Sequence, residues 1–315
     1  MSRRLLRVGT VGIGAALLAS LPLWGPRFWI YVATQALVFA IFAMSLDLLL
    51  GYAGLPSFGH AAFYGLGAYA CALLAVRRGI PELVPLLLGG GLVAAAAALP
   101  IGALSLRSTG VYFLMVTLAF AQMLWGLAVN WRDFTRGDDG IIGVPRPTIF
   151  HLEDSLQVSF YERGAFLELV LALALVSLLS LWLITRSPFG RTLEGIRENE
   201  HRMRALGCPT FRYRLAAFVI AAALAGMAGA LAVLFDGYAT PDLLYWTGSG
   251  LVLVAVIVGG SRSLVGPALG AFFVVLSRIG LSGYTERWEL LVGAAFIAVV
   301  LFLPGGIVGL ARRAI

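Results

Sequence analysis

FWIYVATQALVFAIFAMSLDLLL, residues 28–50, carries one carboxylate, Asp47, three residues short of its end. A helix rises about 1.5 Å per residue, so about 20 apolar residues cross a hydrocarbon core roughly 30 Å thick. Residues 28–50 meet that length, and a carboxylate so near the end can reach water. Working outward, similar runs occupy 5–24, 56–76, 82–104, 109–130, 164–185, 214–235, 243–260, 264–283 and 288–310. The expectation is an all-α polytopic transmembrane bundle of about ten spans in one domain over 1–315. Glycines interrupt 56–76, 243–260 and 264–283, which marks them as broken or re-entrant helices. The composition agrees: 60% hydrophobic and 12% charged, against roughly 45–50% and about 25% in soluble domains.

The N-terminus imitates a signal peptide, with Arg3, Arg4 and Arg7 before an apolar run from Val8 to Trp24. No small-x-small site follows it, so it reads as a first span that stays attached. With the N-terminus inside, fourteen Arg fall in inner segments and eight in outer ones, with most acidic residues outside. That distribution follows the positive-inside rule and favours N-in, C-in. The net charge of +7 is then membrane topology, not a nucleic-acid footprint.

All 23 basic residues are Arg. A Walker A loop needs a Lys on the β/γ-phosphates, so any ATP and Mg that drive transport belong to another chain, and no cofactor is expected here. Cys71 lies in an apolar run and Cys208 in a basic loop, which makes them unsuited to pair. His60, His151 and His201 share no ligand spacing, and no metal site is expected.

Two loops stand out. The outer loop 131–163 mixes turn residues with charge, and the inner loop 186–213 is the most basic segment. The inner loop reads SPFGRTLEGIRENEHRMRALGCPTFRYR over 187–214. Ser187-Pro188 suits a helix start. Phe189, Leu193, Ile196, Met203 and Leu206 fall on one stripe that Glu200 interrupts, and Gly207 with Pro209 ends it. Such a helix can lie on an anionic leaflet or seat its stripe in a groove on an ATPase. The mixed charges of Arg197, Glu198, Asn199 and Glu200 favour the protein groove.

Within the spans, GYAGLPSFGH (51–60) and GGSRSLVG (259–266) each set Gly and Ser between an apolar run and a small-residue helix. Such breaks in two halves point to inverted repeats and a transport pathway, because non-helical backbone survives at membrane depth only where protein or water satisfies it. The candidate pathway residues are Gly54, Ser57, His60, Tyr112, Gln122, Gly260 and Ser261. Ser57 is expected to cap the helix it precedes, leaving an N-terminus open to a substrate carboxylate. Gln122 shares a helical face with Tyr112, Met115 and Ala119. Gly65, Gly226, Gly229 and Ala230 read instead as close helix packing, and Asp47 as an interfacial residue.

The loop sequence resembles the cytoplasmic loop of the branched-chain amino acid ABC permeases of the LivM type. LLGYAGLPSFGHAAFYGLGAY (49–69), STGVYFLMVTLAFAQ (108–122), NWRDFTRGDDGIIGVP (130–145), AAFVIAAALAGMAGAL (216–231), GGSRSLVGPALGA (259–271) and LPGGIVG (303–309) are similar to the same family, in order. The resemblance implies a multi-pass subunit of the bacterial inner membrane, paired with a sister permease, two cytoplasmic ATP-binding subunits and a periplasmic solute-binding protein. It places Arg197, Glu198, Asn199, Glu200 and Gly207 in the loop that meets the ATPase. It makes branched-chain amino acids the expected substrate, with urea or short amides second. Gln122 departs from an acidic residue common in the family. An ion-coupled secondary transporter would want carboxylates near mid-membrane, and an intramembrane enzyme a polar cluster in one plane. Asp47 and Glu168 lie towards span ends, and His60 with Ser57 is a thin basis for catalysis.

Overall fold

The computed structural model describes residues 2–147, 163–283, 288–302 and 305–313. His151 and part of the outer loop lie outside the described residues. The order is α1 (Ser2–Trp24), α2 (Arg27–Asp47), a π-helical segment (Leu48–Ala53), α3 (His60–Arg77), α4 (Leu83–Ser105), α5 (Val111–Asn130), α6 (Arg132–Thr135), β1 (Ile141–Ile142) and α7 (Arg163–Arg186). There follow α8 (Pro188–Glu198), α9 (Glu200–Ala205), α10 (Thr210–Asp236), β2 (Tyr238–Ala239), α11 (Trp246–Gly259), α12 (Val265–Ser282), α13 (Trp288–Phe302) and α14 (Gly306–Arg313). Among the described residues the molecule is an all-helical membrane bundle with one two-residue antiparallel ladder, Ile141 opposite Ala239 and Ile142 opposite Tyr238.

Among the described residues, five helical stretches are long and apolar enough to cross a membrane: Arg27–Ala53, Leu83–Ser105, Val111–Asn130, Gly164–Arg186 and Thr210–Asp236. Shorter apolar helices cover Gly12–Trp24, Trp246–Gly259, Val265–Leu281 and Leu290–Val299. The ten full-length runs of the sequence are thus not ten full-length helices. The second continues past its expected end through the π-helical turn. The third starts only at His60, and the last divides into α13 and α14 at Gly306, whose φ is +62°.

α10 packs closely against α3 and α4 through small residues. A Cβ at Gly229 would strike the Tyr64 carbonyl, and one at Gly67 the Gly226 carbonyl. A Cβ at Gly226 would come within 2.5 Å of the Ala94 Cβ. These glycines bring α3, α4 and α10 into backbone contact, the small-residue packing that replaces hydrophobic driving force inside lipid. Where the helices diverge, aromatic rings fill the gap. Phe218 sits edge-on to Phe63 and Phe113 at 5.4 and 6.3 Å between centroids. The outward faces of α4, α5 and α7 carry Leu92, Leu99, Met115, Val176 and Leu179, all exposed on the isolated chain, as a lipid- or subunit-facing surface requires.

Candidate coupling and translocation site

The bundle has two distinguishable ends. At the hairpin end Arg77 donates to the Asp133 and Phe134 carbonyls at 2.5 and 2.9 Å, and β1 pairs with β2. At the loop end lie α8, α9 and the first turn of α10.

α2 reaches the loop end at Asp47 and widens into the π-helical segment, which stops at Gly54 in the left-handed region (φ +70°). The chain then turns back into the bundle as irregular backbone over 55–59. Pro56 lacks an N–H, and three of the other amides find protein partners, Leu55 on the Leu49 carbonyl at 2.9 Å. The Phe58 amide donates to Thr117 Oγ1 at 3.3 Å and the Gly59 amide to Ser57 Oγ at 3.2 Å. A Cβ at Gly59 would lie 2.6 Å from the Thr117 carbonyl, so only glycine passes there. Ser57 therefore closes a local turn and does not cap α3. That cap comes from α11: the Ala61 amide donates to Ser249 Oγ at 2.8 Å. The N-terminus of α3 expected to stand open is covered in this chain by Ser249 and Thr117.

His60 is fully buried, its ring stacked on Phe42 at 5.3 Å. Ser45 Oγ donates its one hydrogen to the Phe42 carbonyl (2.7 Å) and so accepts from His60 Nε2 at 2.8 Å. That assignment puts the ring hydrogen on Nε2 and leaves Nδ1 a buried acceptor without a hydrogen-bond partner. Gly54, Ser57 and His60 thus share one irregular stretch. Tyr112 and Gln122 do not join them. Tyr112 is 74% exposed on the outward face of α5, with Gln122 partly exposed beside that face, whereas Phe113, Thr117 and Ala121 are buried and Thr117 meets the break.

A second irregular stretch enters from the hairpin end. α10 stops at Gly237 (φ +83°), and a short 3-10 turn, Pro241–Leu244, precedes α11. Leu244 occupies the space a Cβ would need at Gly65. α3 and α11 therefore start beside one another and run to opposite ends. The sequence pairing of 51–60 with 259–266 is corrected by this geometry: both of those stretches lie at the loop end. The segment entered from the other end is 237–245. Gly51-Tyr52-Ala53 before Pro56 and Gly237-Tyr238-Ala239 before Pro241 are the signal that could have revealed it.

The loop-end turn 260–264 holds three positive φ values: Gly260 (+102°), Arg262 (+66°) and Leu264 (+55°). Its anchor is Asp47, fully buried, whose carboxylate accepts from the Arg262 amide at 2.9 Å and the Leu264 amide at 3.3 Å. Asp47 is thus a structural clamp between α2 and the α11–α12 turn, not an interfacial residue reaching for water. Gly260 packs against Gly305 and Gly306, and Ser261 is partly exposed beside it.

α8 lies directly beneath. Ser187 Oγ accepts from the Gly190 amide with Pro188 in the first turn. The expected single helix is two, because Asn199 leaves helical geometry (φ −156°) and caps α9 by accepting from the Arg202 amide at 2.9 Å. The apolar stripe is covered by the chain's own bundle. Leu193 and Ile196 are buried, Phe189 stacks on Tyr213 at 5.6 Å, and Met203 folds back on Gly195. It is therefore not open to an ATPase groove; Leu206 alone of the stripe is strongly exposed, at 75%. Two surface side chains also reach the bundle. Arg197 Nη1 donates to the Gly51 carbonyl while its stem covers Gly54, and Glu194 lies 3.6 Å from Arg262. Burial lowers the Arg197 guanidinium, assisted by the nearby charge of Arg262. Glu200 accepts from Arg204 (2.5 Å), Arg214 (2.6 Å) and Thr210 (3.2 Å), pinning α9 to α10. Burial tends to raise its carboxyl, but these partners outweigh it and hold the group below its usual range. The exposed residues of this loop include Arg191, Arg197, Glu198, Asn199, His201, Arg202, Arg204, Ala205, Leu206 and Gly207, with Arg197 exposed even though its Nη1 reaches Gly51.

Long apolar helices, and half-length helices fed by irregular backbone from both ends, define a multi-pass membrane protein of the transport type. A family model described as branched-chain amino acid transport system / permease component matches residues 28–301, and the chain belongs to that family. It is 34% identical to the high-affinity branched-chain amino acid transport system permease protein LivM of Salmonella typhimurium over 298 residues, 89% of this chain and 70% of that one. It is 33% identical to LivM of Escherichia coli K12 over 92% of this chain and 72% of the relative. LivH of the same Escherichia coli strain is 24% identical over 88% and 92%. No solved structure matches.

Proposed function

We propose that this chain is the LivM-type translocation subunit of an ABC importer for branched-chain amino acids. In this reading a LivH-type permease pairs with it, a solute-binding protein delivers the substrate, and two separate ATP-binding subunits drive the cycle. The observation that carries the reading is the family match over 28–301 together with α8, which sits under both loop-end breaks with its apolar stripe sealed and its charged side outward. A helix that only rested on a leaflet would turn its stripe to lipid. The loop end is then cytoplasmic, both termini lie inside, and the bilayer is the bacterial inner membrane. The stretches 51–60 and 237–245 are the inverted pair. Gly54, Ser57 and His60 line the moving part of the pathway, and Gly260 and Ser261 its inner edge. Tyr112 and Gln122 face the sister subunit. ATPase contact falls to Glu198, Asn199, His201, Arg202, Leu206 and Gly207.

Competition decides the substrate. In vesicles bearing the assembled complex, excess valine or isoleucine is expected to suppress labelled leucine entry and excess urea to leave it unchanged. Suppression by urea and not by valine would transfer the proposal to short amides.

A further inference from the structure

Besides its buried apolar stripe, α8 makes two polar contacts with the loop-end turns, one to backbone and one to a side chain. Arg197 crosses to the π-helical segment. Its Nη1 binds the Gly51 carbonyl, an acceptor that a wider helical turn leaves available, and its Cγ occupies the space over Gly54 that a Cβ would enter at 2.8 Å. Glu194, one turn earlier, reaches Arg262 at 3.6 Å in the other break. Between the two, Asp47 holds the amides of Arg262 and Leu264, and a Cβ at Gly51 would strike its carboxylate. Gly51, Asp47 and Arg262 are therefore one contact cluster, and α8 grips it from below at two points. From that cluster the chain runs through 55–59 to the Thr117 and Ser249 contacts that seat the start of α3.

We infer that Arg197 is a positioning residue for transport: it is the strut by which α8 moves the 48–54 turn, with Glu194 as its counterpart on the 260–264 turn. The inference rests on the importer reading above and adds a direction of transmission within this chain. A small displacement of α8 can be absorbed at both turns: 48–53 is a wider π-helical turn ending at positive-φ Gly54, and 260–264 is non-helical with three positive φ values. Transport hinges are a few element-terminal residues of this kind.

The test is stoichiometric. Arg197→Met keeps the stem over Gly54 and removes the donor, while Arg197→Lys keeps a cationic donor. In proteoliposomes holding the complete complex, leucine taken up per ATP hydrolysed is expected to fall in the Met variant by roughly 5–150-fold, the span of typical coupling energies. The Lys variant should recover much of it. ATPase subunits should still co-purify with both, because the neighbouring exposed Glu198, Asn199, His201 and Arg202 are unchanged. Labelling of buried Cys71 on heating should begin at the wild-type temperature, which separates a strut from a residue that merely supports the fold. A Met variant coupled like the wild type overturns the inference, and so does one whose Cys71 labels early. A wild-type complex that takes up no leucine with ATP fails at the importer reading itself.

Discussion

Replacing Asp47 by Ala is expected to abolish uptake and to lower the temperature at which the purified protein opens. The carboxylate satisfies two amides in a turn that carries three positive φ values, two of them on Arg262 and Leu264, which have side chains. Left-handed geometry costs a residue with a Cβ of order 1–3 kcal/mol and persists only where the surroundings impose it. Removing the acceptor adds a desolvation penalty of about 1–3 kcal/mol for each stranded donor. The clamp also joins α2 to the α11–α12 turn, so its loss separates the two breaks that α8 holds. Asp47→Asn retains one carbonyl acceptor and turns a donor towards the other amide, so its defect should be intermediate. Thiol labelling of Cys71, which is fully buried, reports opening on heating. The expected order of labelling temperature is wild type, Asn, then Ala. Equal temperatures for all three would remove Asp47 from its structural role.

An equally large effect is expected at Gly229. Its missing Cβ is the space taken by the Tyr64 carbonyl, with the Ala68 amide nitrogen 3.2 Å away. Backbone cannot give way as a flexible side chain can, so Gly229→Val forces α3 and α10 apart over their shared length. Inserting atoms into a packed core usually costs about 1–3 kcal/mol, and more where backbone is the obstacle. The variant should reach the membrane and fail to give a monodisperse purified subunit. Gly126→Val supplies the contrast, because nothing in this chain lies within 4 Å of a Cβ there. Size-exclusion profiles after mild detergent extraction compare them, with Gly126→Val expected to behave as wild type in the isolated subunit. A monodisperse Gly229→Val subunit would contradict the close crossing of α3 and α10.

Much of this architecture was legible in the sequence. Apolar length located the long helices, and Gly226 and Gly229 read correctly as packing residues because small-xxx-small spacing has one physical meaning inside lipid. The break at Gly54 to Gly59 was visible from Gly and Pro alone. The partners of that break were not. Ser249 lies 188 residues from the amide it caps and Thr117 59 from the amide it receives, and neither carries a local signal. Asp47 misled for the opposite reason: a carboxylate near a span end usually points to water, and only the fold brings the 260–264 turn above it. The loop helix misled because one apolar stripe fits equally well a partner's groove or the chain's own underside. In the sequence Arg197 and Glu200 read as charges that set register with a partner, whereas in the structure they bind the Gly51 carbonyl and Arg204 with Arg214.

ATP dependence in a closed compartment tests the central claim most directly. The complex would be reconstituted with α8 facing the lumen, ATP trapped inside, and labelled leucine with its binding protein outside. Accumulation is expected only with hydrolysable ATP and with the ATP-binding subunits present, and it should survive ionophores that collapse proton and sodium gradients. Leucine accumulation by the permease subunits alone, driven by such a gradient and indifferent to ATP, would contradict the account.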